Sequence, residues 1–377
     1  MRSVRDIPIL ENIPVLLRAA LNVPIENGKV VDTFRMTQAL KTITYLRERR
    51  ARVVLLGHLT GKGTETLQPV FEALKQFIPD AVFCPVTIGA EARAAVRNLS
   101  PGGVLMLENL RRNVGEEKND RAFSGALAEL ADVFVQDAFD VLHREHASVV
   151  GVPEILPSYA GFLVESEVAG LSKALEPKAP SLAIIGGAKF STKEPVLRKL
   201  LATYTHVYVG GALGNDFVKA RGYEVGKSLI SNADPATINE LRDNPKIVLS
   251  QDAYVAPFGA SRGAARVAAI TDVHADEAIL DDGPKSLEII GGLVQNAKSI
   301  LWNGPLGNYE HGFTDSTEGL ARLIAASSAH SIVGGGDTVA AIEKLGVTNK
   351  IGFISTAGGA MLDFLAKGTL PGLRALK

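Results

Sequence analysis

The sequence predicts an α/β protein of two domains, each built around a parallel sheet that helices cover on both faces. Three observations favour this class. Short apolar runs alternate with longer stretches of helical periodicity along the whole chain. The 377 residues exceed what one ordinary hydrophobic core accommodates and suit two α/β domains. Glycines, of which there are 37, follow many of the apolar runs, where strands turn into helices.

The apolar runs locate the predicted strands. In the first half of the chain they cover residues 15–21, 52–58, 103–109 and 133–139. In the second half they cover residues 181–186, 206–210, 247–249, 299–303, 330–333 and 351–355. Apolar residues at three- and four-residue spacing predict helices at 36–50, 122–131 and 159–175. The last of these ends before Pro177, so we expect the break between the domains within residues 156–180.

Composition argues against several classes of protein. The net charge of -1 disfavours a general nucleic-acid or membrane-surface binder. The single cysteine, Cys84, permits no internal disulfide. No apolar run reaches the ~18 residues that span a bilayer, and Glu11 and Asn12 interrupt any signal-peptide core. We therefore expect a soluble cytoplasmic protein with no nucleic-acid or membrane partner.

The most informative segment is SIVGGGDT at residues 331–338, where a β-type run breaks into three glycines and helix-like sequence follows. A strand, a glycine turn and a helix N-terminus form an anion site, because backbone N–H groups can approach a phosphate there. Asp337 would repel a bare phosphate, so we expect a divalent cation between the two, as in a magnesium–nucleotide site. Taken alone, the segment fits equally well a tight turn in which Asp337 caps the helix.

Predicted strand ends in the second half are rich in glycine, at residues 186–189, 210–211, 303–305, 334–338 and 357–359. Because ligands of open parallel sheets bind at the carboxyl ends of the strands, these turns favour a nucleotide lying across the sheet edge. Lys189 and Lys193 follow the first turn and are placed to reach phosphates. The alternative for Lys189 is an exposed loop lysine.

Predicted strand ends in the first half are cationic instead. Arg35, His58, Arg111 and Arg144 lie at or after four of them, and histidines flank Arg144. Shared positive charge favours a pocket for a small, strongly anionic ligand, since the arginine fork suits carboxylate and phosphate groups. Singly, each arginine is equally consistent with a surface charge, and His58 with a core histidine. An anionic-substrate half and a nucleotide half together indicate phosphoryl transfer.

One segment is similar to a phosphate-binding motif without matching its spacing. GYEVGKS at residues 222–228 is like a Walker A loop, but three residues instead of four separate its glycines. No β-type run precedes it. We interpret it as a loop that does not bind phosphate in the P-loop manner.

Several motifs resemble those of the phosphoglycerate kinase family and occur in the same order along residues 15–376. They are LENLR at 107–111, QDAF at 136–139, HREHAS at 143–148, GGAK at 186–189, GYEVGKSL at 222–229, WNGPLG at 302–307, GGGDT at 334–338 and LPG at 370–372. The resemblance implies two Rossmann-like three-layer lobes with parallel sheets, joined by a hinge helix. It implies an acid-substrate domain over residues 1–160 and a nucleotide domain over residues 161–377, with the residues after about 361 returning to the first domain. It also implies a monomer that requires Mg²⁺ and exchanges a phosphoryl group between 1,3-bisphosphoglycerate and ADP, giving 3-phosphoglycerate and ATP.

Matching positions carry the site residues that the resemblance implies. Those on the acid-substrate side are Asn22, Arg35, His58, Arg111 and Arg144. Those on the nucleotide side are Lys189, Lys193, Gly211, Gly283, Asn303, Pro305, Glu310, Gly335, Gly336, Asp337 and Thr338. Arg35 and Lys189 resemble the catalytic residues, Arg35 neutralising charge in the transition state and Lys189 lying near the transferring phosphoryl group. Asp337 resembles the carboxylate that holds magnesium with the nucleotide phosphates, and Glu310 the one on the ribose hydroxyls.

Departures from the family pattern fall mainly on the acid-substrate side. Ala20 stands where an acid is expected to contact the substrate hydroxyl, and Gly61, beside Lys62, stands where a substrate arginine is expected. Asp140 and Val141 replace an expected glycine and threonine. Two lost polar contacts at ~1–3 kcal/mol each would weaken binding of 3-phosphoglycerate by about two or more decades.

Three interpretations are therefore open from the sequence. The favoured one is a phosphoglycerate kinase of reduced efficiency, because the nucleotide side and three substrate arginines are retained. The second is a kinase of another phosphorylated carboxylic acid, which the changes at Ala20 and Gly61 favour. The third is a nucleotide-binding protein with a regulatory role, which would bind MgADP without turnover.

Overall fold

A six-stranded parallel sheet forms the centre of each of two structural units. The structure, a computed structural model, describes residues 1–61, 63–231 and 234–376. The first unit comprises Met1–Ala169 together with the residues from Thr369 onward, and the second comprises Gly170–Gly368. No helix within the described residues combines the length and the apolar character needed to cross a bilayer.

The first unit has the strand order β5-β6-β4-β1-β7-β8, in which every neighbouring pair is parallel. A small antiparallel hairpin, β2-β3, follows β1. The strands are β1 (Pro14–Ala19), β2 (Ile25–Glu26), β3 (Lys29–Val30), β4 (Arg52–Leu56), β5 (Val82–Cys84), β6 (Val104–Leu107), β7 (Val133–Asp137) and β8 (Ser158–Ala160). The helices are α1 (Phe34–Glu48), α2 (Gln68–Leu74), α3 (Ala90–Asn98), α4 (Val114–Glu117), α5 (Arg121–Ala128) and α6 (Phe162–Leu175).

Helices cover both faces of this sheet, because its strands are apolar on both sides. All six residues of β1 are buried. Val15 and Leu17 pack into the core on one face of the sheet, and Leu16 packs into the core on the other. Leu16 pairs with Val54 and Phe134 on its two sides, which places β1 at the centre. Continuous apolar runs are what parallel strands covered on both faces require.

The second unit has the strand order β11-β10-β9-β15-β16-β17, again with every pair parallel. In chain order this is the doubly wound Rossmann arrangement. The strands of the unit are β9 (Ser181–Ile185), β10 (His206–Val209), β11 (Ile247–Leu249), β12 (Asp252–Pro257), β13 (Arg266–Ala269), β14 (Glu277–Asp282), β15 (Ser299–Asn303), β16 (His330–Gly334) and β17 (Phe353–Ile354). Its helices are α7 (Phe190–Thr203), α8 (Gly211–Ala220), α9 (Pro235–Leu241), α10 (Pro284–Asn296), α11 (Asp315–Ala326), α12 (Gly336–Lys344) and α13 (Gly359–Lys367).

Helix α6 is continuous across the division between the units, which falls between Ala169 and Gly170. Its first turn is fixed inside the first unit. The Leu163 N–H donates to Asp137 Oδ1 at 2.8 Å, and the Phe162 N–H donates to Thr42 Oγ1 at 2.9 Å. A carboxylate at a helix N-terminus satisfies free N–H groups and suits the positive end of the helix dipole.

The C-terminal helix α14 (Pro371–Ala375) belongs to the first unit. The Gly372 N–H donates to the Leu142 carbonyl at 2.9 Å, and Leu370 and Leu376 are buried on either side. The end of the chain therefore completes the core of the unit in which the chain begins.

The predicted fold class is confirmed, with local corrections. The predicted helix at 159–175 begins only at Phe162, because Tyr159 lies in the edge strand β8. The predicted strand at 351–355 is limited to Phe353–Ile354. The antiparallel sheet β13-β12-β14 was not predicted, because its strands mix buried and exposed residues and lack a continuous apolar run.

Candidate functional site

A cavity of about 380 Å³ opens at the carboxyl ends of the central strands in the second unit. Gly187 follows β9, Gly211 begins the helix after β10, Pro305 follows β15 and Asp337 follows β16, and all four line the cavity. Strands β9 and β15 are neighbours although five strands separate them in sequence, so the cavity lies at the switch point of the sheet. This is where open α/β sheets bind their ligands.

A glycine with positive φ follows each of the four central strands. These residues are Gly187 (83°), Gly211 (60°), Gly304 (94°) and Gly335 (106°). At Gly211 the requirement is also steric, because a Cβ atom would lie 2.8 Å from the Gly187 nitrogen and 2.9 Å from the Pro305 oxygen. The backbones of three loops therefore come together more closely than side chains would allow.

Hydrogen bonds fix these turns to one another. The Gly187 N–H donates to the Pro305 carbonyl at 2.9 Å, and the Leu213 N–H donates to the Gly187 carbonyl at 2.8 Å. The Gly304 N–H donates to Thr338 Oγ1 at 3.1 Å, and Thr338 is fully buried. The Thr338 hydroxyl thus holds the β15 turn against helix α12, while its backbone N–H belongs to the first turn of that helix.

Lys193 is a buried cation behind the same turns. Its Nζ donates to the Gly186 carbonyl, and its side chain is 8% exposed. Burial lowers the pKa of Lys193 to about 8, against the opposing effect of the Asp337 carboxylate. A Cβ atom at Gly304 would lie 2.7 Å from Nζ, and one at Gly187 would lie 2.9 Å from it, so these glycines make room for the lysine.

Lys189 occupies the N-cap position of helix α7, and its side chain is exposed. The sequence left open whether it is a phosphate ligand or an ordinary loop lysine, and its exposure is compatible with both. Asn303 is buried at the end of β15, where its Nδ2 lies 3.7 Å from Met361 Sδ. Gly283 is the N-cap residue of helix α10 and lies directly beside the Asp252 carboxylate. It follows Asp282, which lines the cavity.

Asp337 is the carboxylate that could share a cation with nucleotide phosphates. It lies in the first turn of α12, beside Gly335 and Gly336, and lines the cavity with Glu310. Partial burial and the negative charge of Glu310 raise the pKa of Asp337. The described residues contain no cluster of three or more potential metal ligands. One carboxylate beside glycine turns and a helix N-terminus fits magnesium, which usually takes one or two carboxylates together with substrate phosphates and water.

Several residues of this cavity were missed from the sequence. Lys227 and the largely exposed Phe258 line it, and so does Asp281. Burial raises the pKa of Asp281 to about 7. Lys227 lies in the segment interpreted as a loop, where Gly226 forms an isolated bridge with Ala278. No periodicity marks these positions, because they lie in the antiparallel strand β14, just after β12, and in a loop bridged to β14.

A second cavity, of about 610 Å³, lies in the first unit. Asn22, Arg35 and Thr60 are among its lining residues. Arg35 Nη1 donates to the Asn22 carbonyl at 2.8 Å. Asn22 and Thr60 exchange two hydrogen bonds, from Asn22 Nδ2 to Thr60 Oγ1 at 2.9 Å and from the Thr60 N–H to Asn22 Oδ1 at 3.0 Å. The loops after β1 and β4 are thereby joined beside a half-buried guanidinium.

His58 is held by a buried arginine that the sequence analysis did not single out. Arg18, in β1, is 1% exposed, and its Nη2 lies 2.9 Å from His58 Nδ1. Because a guanidinium only donates, Nδ1 must accept, and the ring proton resides on Nε2. Burial, and next the charge of Arg18, hold the pKa of His58 well below its usual range. His58 is therefore a neutral residue with one N–H group left to donate.

The remaining cations of the first unit surround this pair. Arg111 lowers the pKa of His58 by its charge, and burial together with Arg111 lowers the pKa of His146 to about 4. Arg144 acts on His146 in the same sense, and its side chain is exposed. The structure thus brings His58, Arg111 and Arg144 close enough for their charges to act on the same histidines.

Comparison with known proteins identifies the family of this chain. A family model described as phosphoglycerate kinase matches residues 4–368. A phosphoglycerate kinase of Moorella thermoacetica is 44% identical over 380 residues, covering 97% of each chain. The chain belongs to the phosphoglycerate kinase family. A phosphoglycerate kinase of Thermus thermophilus is 42% identical over 376 residues, covering 96% of each chain.

Solved structures of the phosphoglycerate kinase family have the same fold. The enzyme of Pyrococcus horikoshii gives a TM-score of 0.90 at 30% identity, covering 100% of this chain and 98% of that one. The enzyme of Coxiella burnetii gives a TM-score of 0.84 at 37% identity, covering 99% of this chain and 98% of that one. The two-lobe fold of the phosphoglycerate kinases is therefore that of this chain.

The positions that depart from the family pattern have a structural context. A side chain at Gly61 would collide with the carboxylate of Glu65, which accepts a hydrogen bond from the Gly63 N–H at 2.9 Å. An acid thus lies beside the position where the family pattern has an arginine, in the wall of the Arg35 cavity. Ala20 is buried, and Lys62 lies outside the described residues.

The change at residues 140–141 alters charge as well. Asp140 Oδ1 is buried without a hydrogen-bond partner, and the carboxylate acts on Arg18 by its charge. Val141 is buried, and its carbonyl accepts from the Arg144 N–H at 2.9 Å. The first unit therefore has a carboxylate near Arg18 at residue 140, where the family pattern has none.

Proposed function

We propose that this chain is a phosphoglycerate kinase, which transfers a phosphoryl group reversibly between 1,3-bisphosphoglycerate and MgADP to give 3-phosphoglycerate and ATP. The observation that carries the proposal is the glycine-lined cavity at the switch point, which Asp337 lines and behind whose turns the Lys193 ammonium group is buried. That arrangement suits the phosphates of a nucleotide. The two phosphoglycerate kinases named above are similar to this chain over nearly their whole length.

On the nucleotide side, the proposed ligands are Lys189, Lys193, Gly211, Gly283, Asn303, Pro305, Glu310, Gly335, Gly336, Asp337 and Thr338. The turns and the N-terminus of α12 direct N–H groups toward the phosphates, and Lys193 supplies charge from behind. Asp337 would hold Mg²⁺, and the metal would neutralise phosphate charge when bound. Lys189 is proposed to stabilise the transferring phosphoryl group from the exposed start of α7.

On the acid side, the proposed ligands are Asn22, Arg35, His58, Arg111 and Arg144. Arg35 is proposed to neutralise the charge that develops on the phosphoryl group, and neutral His58 to donate from Nε2. Because in-line transfer requires the two ligands to meet, we also propose α6, the helix continuous between the units, as the hinge. That the protein works as a cytoplasmic monomer remains a prediction.

Steady-state formation of ATP from 1,3-bisphosphoglycerate and MgADP tests this proposal. We expect turnover that Lys189→Ala abolishes or reduces by orders of magnitude. Lys199→Ala is the matched control, because Lys199 is an exposed lysine on the same helix, outside the proposed site. Demonstrable MgADP binding without turnover would contradict the proposal and favour the non-catalytic nucleotide-binding protein.

A second candidate is a kinase of another phosphorylated carboxylic acid. It is favoured by Glu65, which lies beside Gly61 in the wall of the Arg35 cavity. An added carboxylate there disfavours a second anionic group at that end of the substrate. Turnover of a panel of phosphorylated acids with ATP distinguishes the two. Exclusive use of 3-phosphoglycerate would eliminate this candidate.

A further inference from the structure

Three arginines of the first unit lie near two neutral histidines and need counter-charge. This cluster consists of Arg18, Arg111 and Arg144 with His58 and His146. Arg18 and Arg111 both lower the pKa of His58, and Arg111, Arg18 and Arg144 all lower that of His146. Like charges at such proximity repel, and burial strengthens the repulsion.

Two of the carboxylates near the cluster are fixed in place. Glu116 is fully buried and accepts from the Ser148 N–H at 3.0 Å and from Ser148 Oγ at 2.5 Å. Ser148 Oγ also accepts from Arg18 Nε at 3.0 Å, so Glu116 belongs to the buried support of Arg18. Asp140, the second carboxylate, is partly buried on the loop after β7. Neither is placed to leave the cluster when another anion arrives.

Glu117 differs because it is exposed and ion-paired to a predicted substrate ligand. Its Oε1 lies 3.2 Å from Arg111 Nε, and 58% of its side chain is exposed, against 15% of that of Arg111. Arg111 Nε is buried and makes no aligned hydrogen bond. The two groups are therefore held together by charge alone, on a carboxylate that can turn into solvent.

We infer that Glu117 is a displaceable counter-ion, which competes with the anionic acid substrate for the Arg111 guanidinium and so sets the affinity of the acid half. The identity of that substrate rests on the proposed function. An incoming phosphate or carboxylate can bind Arg111 with two parallel N–H···O bonds, a geometry that the pair with Glu117 lacks. Each binding event therefore exchanges one carboxylate for another anion.

The exchange has a modest, measurable size. The Glu117 carboxylate of this pair is largely exposed, and solvent and salt weaken ion pairs at the protein surface. Removal of the competing charge should therefore tighten binding of the acid about two- to five-fold at low ionic strength, with a smaller gain at high ionic strength. Nucleotide binding should not change, because the nucleotide cavity lies in the second unit.

The test compares Glu117→Gln with Glu91→Gln, a matched removal of charge from an exposed glutamate on α3 of the same unit. Titration calorimetry with 3-phosphoglycerate, without nucleotide, should show about two- to five-fold tighter binding for Glu117→Gln alone. In steady state the KM for 3-phosphoglycerate should fall while the KM for MgATP is unchanged. In an Arg111→Ala background, Glu117→Gln should have no effect, as a double-mutant cycle requires.

Equal affinities of wild type and Glu117→Gln would overturn the inference and leave the proposed function intact. A gain that persists without Arg111 would also overturn it. If none of the proteins binds 3-phosphoglycerate, the proposed substrate is wrong, and titration with inorganic sulfate then decides the inference. Tighter sulfate binding by Glu117→Gln supports the counter-ion, whereas equal or absent binding overturns it.

Discussion

Nucleotide binding by this protein should be accompanied by uptake of a proton at Lys193. Burial lowers the pKa of this lysine to about 8, so its ammonium group is only partly protonated in mildly alkaline solution. A bound phosphate favours the charged form and returns the pKa toward its ordinary value. Binding of MgADP should therefore take up about 0.1 proton at pH 7, about 0.5 at pH 8 and about 0.9 at pH 9.

Calorimetry in buffers with different ionisation enthalpies measures this number directly. The slope of the observed binding enthalpy against the buffer ionisation enthalpy gives the protons exchanged. Lys193→Met should remove the slope at pH 8, whereas Lys199→Met, on the exposed side of the same helix, should preserve it. A zero slope in the wild type at pH 8, or a slope that survives in Lys193→Met, would refute the assignment.

The same shift affects folding. Because the folded pKa of Lys193 lies below the unfolded value, the unfolded chain binds more protons between about pH 8 and pH 10.5. The free energy of unfolding should therefore gain a contribution as the pH rises through this interval, and lose it as the pH falls through about 8. Lys193→Met should lack that dependence in urea unfolding.

Three further predictions concern single side chains. His58→Asn keeps an acceptor for Arg18, so it should weaken binding of the acid substrate without a large loss of stability. His58→Leu leaves a buried Arg18 donor unpaired and should lower the free energy of unfolding in urea by about 1–3 kcal/mol. Burial raises the pKa of Asp137 to about 7, so stability should fall as the pH rises from about 4 to 7, and Asp137→Asn should flatten that fall by up to about 4 kcal/mol. The same dependence of the unfolding free energy on pH in wild type and Asp137→Asn would contradict the assignment to Asp137. Thr338→Val removes the acceptor of the Gly304 N–H, so it should lower the free energy of unfolding by about 1–3 kcal/mol and weaken MgADP binding. Thr338→Ser keeps the hydroxyl and should retain most of the stability and of the affinity. Thermal unfolding and calorimetry measure the two effects.

The parallel sheets could be predicted because their strands are buried on both faces. Such strands read as continuous apolar runs, and β1, β9 and β15 were found in this way. Several predicted strands extend one or two residues beyond the observed ends, as at 52–58 against Arg52–Leu56. Those extra residues lie in the loops that follow the strands. Sequence alone does not show where the backbone pairing with the neighbouring strand ends.

Short or mixed strands could not be predicted on the same basis. Strand β5 has three residues, of which Val82 is half exposed, and β13 pairs in an antiparallel sheet with alternating exposure. Neither length nor pattern separates such segments from loops. Partner strands in the folded chain, and not local sequence, stabilise them.

Site residues could be predicted where the motif that marks them is continuous in sequence. They could not be predicted where their role depends on a contact between distant residues. The glycine turns that precede Lys193 and Asp337 are visible as sequence spacing. Arg18 was not predicted as a site residue because it lies within an apolar strand, and its contact is with His58, forty residues away in sequence. Glu117 is one of many surface acids in the sequence, and only the fold places its carboxylate 3.2 Å from Arg111.

The return of the last helix to the first unit has a consequence for synthesis on the ribosome. Residues 170–368 must be translated before Leu370, Gly372 and Leu376 can join the core that the first 169 residues begin. At ~5–20 residues per second, this interval lasts on the order of 10–40 s. During that time the nascent first unit exposes the surface around Leu142 that α14 later covers. Chaperone binding to stalled nascent chains should therefore be strongest for those that end before residue 369.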